Sequence, residues 1–331
     1  MNSAVSNAVI VKIRARYAKR LTNSEFETLS NCSSVSEIAS NLKNNQIFSG
    51  VISTISDKEI HREVLESALN YGFLEDLSII AKYDLSFEKK IFKYVISKFE
   101  VQQICKFLLF LKSNTVSNFK CFFPPFFKFR SKIKFDEINK AESYNDLLDA
   151  VSKTDYYSVL KKYKSDDFDI NKIETDLYNY LFDLLFFSIL KFNPKIRDQI
   201  INFFYDYVDV SNTIRSVRSK CFYNSDDDYI SEIVFKFGNY RFSKYDSLKS
   251  GNFRNFSFID DSLKSIGDLE RFSKIMRFKW ARRNIRYSNI AEVVGFSYIL
   301  LKELEISNLT NIIEGVRYNL SRDVIKTGII R

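Results

Sequence analysis

Glycine and proline occur only 8 and 3 times in 331 residues, and this scarcity constrains the fold more than any other feature. Sandwiches, barrels and propellers need turn residues at every strand end, where glycine supplies positive φ and proline fixes φ at about −65°. A chain so poor in both has long helices as its remaining option. The expected fold class is therefore all-α. The length admits two or three domains at roughly 100 to 200 residues each. Phenylalanine and tyrosine, at 32 and 19 copies, stand beside many Lys, Asn and Ser residues, a mixture that fits AT-biased coding as well as an aromatic interior.

The formal net charge of +9 suits a membrane surface, an acidic protein or nucleic acid equally and chooses none of them. Cys32, Cys105, Cys121 and Cys221 lie far apart with no C-x-x-C pair, so neither a zinc site nor a disulfide framework is indicated and a reducing compartment is expected. The first residues lack a basic segment followed by a long apolar core, which argues against a secretory signal and for a cytoplasmic chain. Stretches without charge, such as Val293 to Leu301, reach about half of the roughly 20 residues a spanning helix needs. Any membrane association is expected to be peripheral.

Along the chain, Ile10, Ile13, Tyr17 and Leu21 recur at helical spacing over residues 7–21. Ser34 or Ser36 is placed to cap a segment carrying Ile38, Leu42 and Ile47. Longer helical patterns follow at 57–83 and 87–112, and Pro124-Pro125 interrupts them, which puts a domain boundary near 115–135. Ile170, Ile173, Leu177, Leu181, Leu184 and Ile189 define a helix from about Ile170 to Phe192, with Asp169 as its cap and Pro194 as its end. Residues 195–223 continue helically, Asp226 to Asp228 mark a break, 247–257 read as a loop, and helices resume from Asp261 through Glu314.

Residues 35–51 and 144–160 share apolar positions at an offset of 109, with Ile38 matching Leu147 and Leu42 matching Val151. A weaker echo starts at Ile266. A true triplication predicts three similar helical domains of about 110 residues, within the usual domain size. The corresponding partition is 1–120, 121–220 and 221–331.

Chemistry-bearing patterns are sparse. His61 is the only histidine and sits in a charge-rich helical stretch, the setting of a surface residue, so no Ser-His-Asp or Cys-His constellation is expected. Neither G-x-x-x-x-G-K-[ST] nor G-x-G-x-x-G occurs, which argues against nucleotide binding. The groups Asp166-Asp167, Asp226 to Asp228 and Asp260-Asp261 lack the alternation and closing glutamate of a calcium loop. No catalytic residue, cofactor or metal is expected. Lys279, Arg282 and Arg283 around Trp280 form the best nucleic-acid candidate, but a helix with Ile275, Phe278, Trp280 and Ile285 packed inward explains them as well.

Two segments are more specific. In one, Asp209, Asn212 and Arg215 recur every third residue, with Arg218 next, and form a polar stripe on one helix. In the other, Tyr298, Lys302, Glu305, Leu309 and Ile312 share a face, Asn308 lies beside them, Gly315 suits a C-terminal cap, and Ser321 can cap a short last helix. The order of these features resembles the V-type ATPase d-subunit family, whose members in the A-type and bacterial V-type enzymes are called C subunits: D-x-x-N followed by R, a K-E-x-E-I-x-N-L-x-x-I helix, a glycine, and a short terminal helix. The opening helix with Arg14 and Arg16 extends the likeness over the whole chain. Thr213, where the family has an apolar residue, and the reduced glycine turn at Phe-Gly238-Asn depart from the pattern.

The resemblance implies a pseudo-threefold funnel of three similar helical bundles and a non-catalytic rotor role on the cytoplasmic face of the membrane. Its partners would be central-stalk subunits of the D and F type and the proteolipid c-ring, with no nucleotide and no nucleic acid bound. Candidate partner-binding residues are Asp209, Asn212, Arg215, Arg218, Lys302, Glu305 and Asn308. Without the resemblance, the residues suit a helical scaffold or a nucleic-acid-binding protein of another class.

Overall fold

The computed structural model of the chain describes residues 3–56, 60–81, 93–121, 130–164, 167–238 and 266–331. Among them no strand occurs, and the elements are helices: α1 (Ser3–Ala18), α2 (Asn23–Ser30), α3 (Val35–Leu42), α4 (Ser49–Ile52), α5 (Arg62–Ala81), α6 (Lys93–Lys112), α7 (Phe135–Ile138), α8 (Tyr144–Ala150), α9 (Tyr156–Leu160), α10 (Ile170–Ile189), α11 (Pro194–Tyr223), α12 (Asp227–Glu232), α13 (Ile266–Tyr287), α14 (Ala291–Arg317) and α15 (Arg322–Thr327). The expected all-α class holds. Pro124-Pro125, the 247–257 loop, Asp166 and Asp260-Asp261 lie outside the described residues.

The chain divides into two compact units, one formed by Met1–Phe87 with Lys274–Arg331 and the other by Glu88–Ser273. In unit one, α14 is buried along most of its length and packs on α1, α5 and α3. Leu29, Ile38, Leu42, Phe48, Leu65 and Leu69 meet Leu309, Ile312 and Ile325 in its core. In unit two, α10 packs on α6, and Ile104, Phe107, Phe135, Ile138, Leu147, Val151, Ile173 and Leu177 form the core. A second layer of edge-to-face rings joins Phe182, Phe186, Phe204, Phe235 and Phe237.

The 109-residue similarity has a structural counterpart. Ser34 and Ser143 each accept a backbone N–H three residues on, from Glu37 and Asp146, at 3.2 Å. Those carboxylates in turn accept backbone N–H groups just upstream, at Ser33 and Ser143. Ile38 and Leu147 are both fully buried one residue later. In each unit a short helix follows and packs on the next long one, α4 on α5 and α9 on α10. The buried series Leu65, Leu69, Phe73, Leu77 of α5 has its match in Ile173, Leu177, Leu181, Leu185 of α10. The Ile266 echo differs, because Ile266 opens the 22-residue α13 instead of a short helix.

Three expected helix signals behave differently. Pro194 does not end α10 but occupies the first position of α11, where its missing N–H is no loss, and Asn193 accepts the Lys195 N–H at 3.1 Å. Gly315 lies inside α14, and α14 instead closes on Asn319 (φ 52°), with the Leu320 N–H on the Gly315 carbonyl at 2.9 Å. Ser321 stands at the start of α15 without a side-chain cap bond. Asp169 caps α10 as expected, accepting from Asn171 N at 2.8 Å.

Candidate functional site

The D-x-x-N-x-x-R stripe of α11 is on one face, and that face is turned into unit two. Asn212 is 0% exposed and bonds the Phe235 backbone twice, donating to its carbonyl at 2.9 Å and accepting its N–H at 2.7 Å. Arg215 donates to the Ile233 carbonyl (2.9 Å), Glu174 (2.7 Å) and Thr175 Oγ1 (2.9 Å), with its guanidinium 4.4 Å above the Phe235 ring. Asp209 is buried, and Thr213 satisfies its hydroxyl on the Asp209 carbonyl at 2.8 Å. Together Asn212 and Arg215 fasten residues 233–235 to α11. Arg218 is half-exposed and pairs with Glu270. Phe237 then continues into Gly238, whose φ of 54° and closeness to the Phe186 ring exclude any side chain.

Unit one repeats the device. Asn308 donates to the Ile330 carbonyl at 2.8 Å and accepts the Ile330 N–H at 3.0 Å, so α14 holds the segment after α15 as α11 holds 233–235. Lys302 and Glu305, 1% and 7% exposed, pair with each other one turn apart, and Glu305 also accepts the Leu21 N–H at 2.7 Å. Lys302 lies 5.2 Å over the Phe48 ring. Next to them, Asp76 accepts from Arg16 and from the Tyr298 hydroxyl, and burial raises its carboxyl pKa despite the opposing Arg16 charge. Arg14 donates to the Ile285 and Ser288 carbonyls, both at 2.8 Å. These charged groups thus join α1, α5 and α14 inside the unit.

Lys302, Glu305 and Asn308 also form one wall of a cleft of about 290 Å³ in unit one. Its remaining lining includes Arg20, Arg282, Phe26, Phe278 and Leu304. The sequence reading missed Arg20 as part of a site, and Arg282 entered only as a nucleic-acid candidate. The Trp280 ring is half-buried and meets Phe296 in a T-shaped contact with centroids 5.9 Å apart, in line with the inward-packed reading of this helix.

Other chemistry is thin. His61 is exposed at the foot of α5. Burial pushes the Cys105 and Cys121 thiols up to about 12, away from nucleophilic use. Among the described residues no group of His, Cys, Asp and Glu side chains could hold a metal ion. No described helix is long and apolar enough to cross a membrane.

The family model of the ATP synthase (C/AC39) subunit matches residues 9–328. The chain is also similar, at 26% identity over 215 residues, to the C subunit of the A-type ATP synthase of Methanococcoides burtonii, an alignment covering 58% of this chain and 57% of that relative. The aligned part thus spans a little over half the length of that relative. The inward faces of α11 and α14, with Asn212, Asn308 and Gly238, fall within the range matched by the family model, while Ile330, the partner of Asn308, lies just beyond it. The chain belongs to the ATP synthase (C/AC39) subunit family.

Proposed function

We propose that this protein is a non-catalytic rotor subunit that joins the central stalk of a V/A-type ATPase to its proteolipid ring. The family match over residues 9–328 carries the reading. In this role the chain rests peripherally on the cytoplasmic face of the membrane, meets stalk subunits of the D and F type, and binds neither nucleotide nor nucleic acid. A funnel of three helical parts is the expected arrangement, to be tested by an experimental structure of the assembly.

A torque-bearing adaptor needs stiffness more than chemistry. Close-packed interiors resist compression, and the inward polar faces of α11 and α14 add directional bonds that side-chain slippage would break. Asp209, Asn212, Arg215, Lys302, Glu305 and Asn308 would then serve assembly by holding the body that presents a partner surface. Arg218, half-exposed, is able to touch a partner directly.

Reconstitution of the membrane assembly with and without this chain tests the reading. ATP hydrolysis by the catalytic part should persist without it while ATP-driven ion transport is lost, and transport at full rate in its absence would refute the role. Micromolar ATP binding to the purified chain, measured by calorimetry, would equally count against it.

A further inference from the structure

The arginines around the unit-one cleft fall into two kinds. Arg14 and Arg16 are consumed internally, by the carbonyls of Ile285 and Ser288 and by Asp76. Arg331 donates to Glu27 at 3.2 Å. Arg20 and Arg282 are exposed, and each is laid on an aromatic ring of the same cleft, Arg20 4.4 Å over Tyr17 and Arg282 5.5 Å over Phe278. Among the described residues Arg282 makes no hydrogen bond, and Arg20 uses one N–H, on the Tyr17 carbonyl at 3.3 Å. A guanidinium resting on a ring is restrained, yet its in-plane N–H edge stays open to an acceptor.

Among the described residues that line the cleft, Glu305 is the only acidic side chain, and Lys302 already matches its charge. The surplus is therefore positive and comes from forked donors, which pair with carboxylates through two parallel hydrogen bonds. Phe26, Leu301, Leu304 and Ile330 supply apolar wall beside them. At about 290 Å³ the space is at the bottom of the range of small-molecule sites, roughly 300 to 1,000 Å³, and admits a side chain or two. Single-stranded nucleic acid calls for a basic groove tracking its backbone and rings open to its bases, and Tyr17 and Phe278 are already covered by guanidinium groups.

We infer that Arg20 and Arg282 clamp an acidic side chain, Asp or Glu, of a partner protein, with an apolar neighbour of that residue seated on the Phe26 and Leu304 wall. The inference rests on the proposed rotor role, in which the partner is a stalk subunit of the same assembly. Desolvated arginine–carboxylate pairs of this kind sit at the centre of interfaces and act mainly on the dissociation rate.

The full chain carrying Arg20→Gln, Arg282→Gln or both is titrated with purified stalk subunits by calorimetry, at low and at high salt. Each single change is expected to weaken binding by roughly tenfold or more. Thermal unfolding should not move, since both side chains are exposed. Stalk affinity within twofold of the wild type in the double variant overturns the clamp while leaving the rotor role standing. A wild-type chain that does not bind the stalk removes both readings. Inorganic phosphate serves as the third probe. If it protects the wild type but not the double variant from unfolding while stalk affinity is unchanged, the arginines form a small-anion site only, and the clamp is refuted.

Discussion

Removing one member of the Lys302–Glu305 pair leaves its partner charged and dry, a change that costs about 3 to 5 kcal/mol in buried pairs. Lys302→Met should therefore lower the urea midpoint sharply, while Lys302→Met with Glu305→Gln should recover most of the loss, because the amide oxygen still accepts the Leu21 N–H. Equal midpoints for the single and double variants would show that the pair is not buried in solution. A loss of assembly in either single variant reads as damage to unit one unless the denaturation curve is unchanged. Glu100 offers a pH test. It is 6% exposed, faces the hydroxyls of Ser131 and Tyr156, and feels Lys93 only through space. Burial raises its carboxyl above the ordinary range, so the folded state holds the extra proton. Stability from this group is complete below the unfolded pKa and declines as pH rises through the folded one. Glu100→Gln removes that decline. Its stability relative to the wild type should improve as pH rises above about 4 and level off once the folded pKa is passed, and a difference independent of pH would exclude a raised carboxyl.

At the level of elements, Gly315 sets how closely α15 approaches α14. A Cβ there would lie 2.5 Å from Ile325 Cγ1, so Gly315→Ala should destabilise by about 1 to 3 kcal/mol, and Ile325→Val should not rescue it fully because the clashing atom remains in one branch. An unchanged melting temperature for Gly315→Ala would mean that α15 is not packed there. The paired caps give a second test: Ser34→Ala and Ser143→Ala should each cost about 1 kcal/mol and add in the double variant. The Ser34 cap, which the sequence offered as Ser34 or Ser36, and the Asp169 cap were legible because capping is local, whereas Ser143 was not singled out. Gly315 and Pro194 were misread for one reason. Each residue type has two uses at a helix, and only tertiary contacts say whether glycine ends a helix or admits a neighbour, or whether proline closes one helix or opens the next. The stripes of α11 and α14 were legible as faces, yet period alone cannot distinguish a polar face turned to water from one turned to buried backbone at 233–235 and at 330. The cleft was less legible still, since Arg20 and Arg282 are 262 residues apart in the chain, beyond the reach of any local pattern.

For the whole molecule, the two units differ in how the chain builds them. Unit two is continuous, Glu88–Ser273, whereas unit one needs Lys274–Arg331 to complete what Met1–Phe87 begins. Its core sets Leu29, Ile38, Leu65 and Leu69 beside Leu309, Ile312, Ile325 and Ile329, so contacts between sequence-distant residues must form before this core is complete. Loop-closure entropy delays such contacts relative to the nearer ones of α6, α8 and α10 in unit two. The last turns of the chain carry much of that closure: Ile325, Ile329 and Ile330 are buried, and the Ile330 backbone is the partner of Asn308. A chain truncated after Leu320 should lose the Asn308 fastening and three buried isoleucines together, at about 2 to 5 kcal/mol for a single Ile→Ala change in a core. That exceeds what one unit of this size can spare from a typical total of about 5 to 15 kcal/mol. Hydrogen exchange read by mass spectrometry should then find amides of α3 and α5 unprotected while those of α6 and α10 keep their protection. Protection retained in α3 and α5 would show that the C-terminal segment is not needed to close unit one, and protection lost in all four helices would show that the units do not fold as separate cooperative bodies.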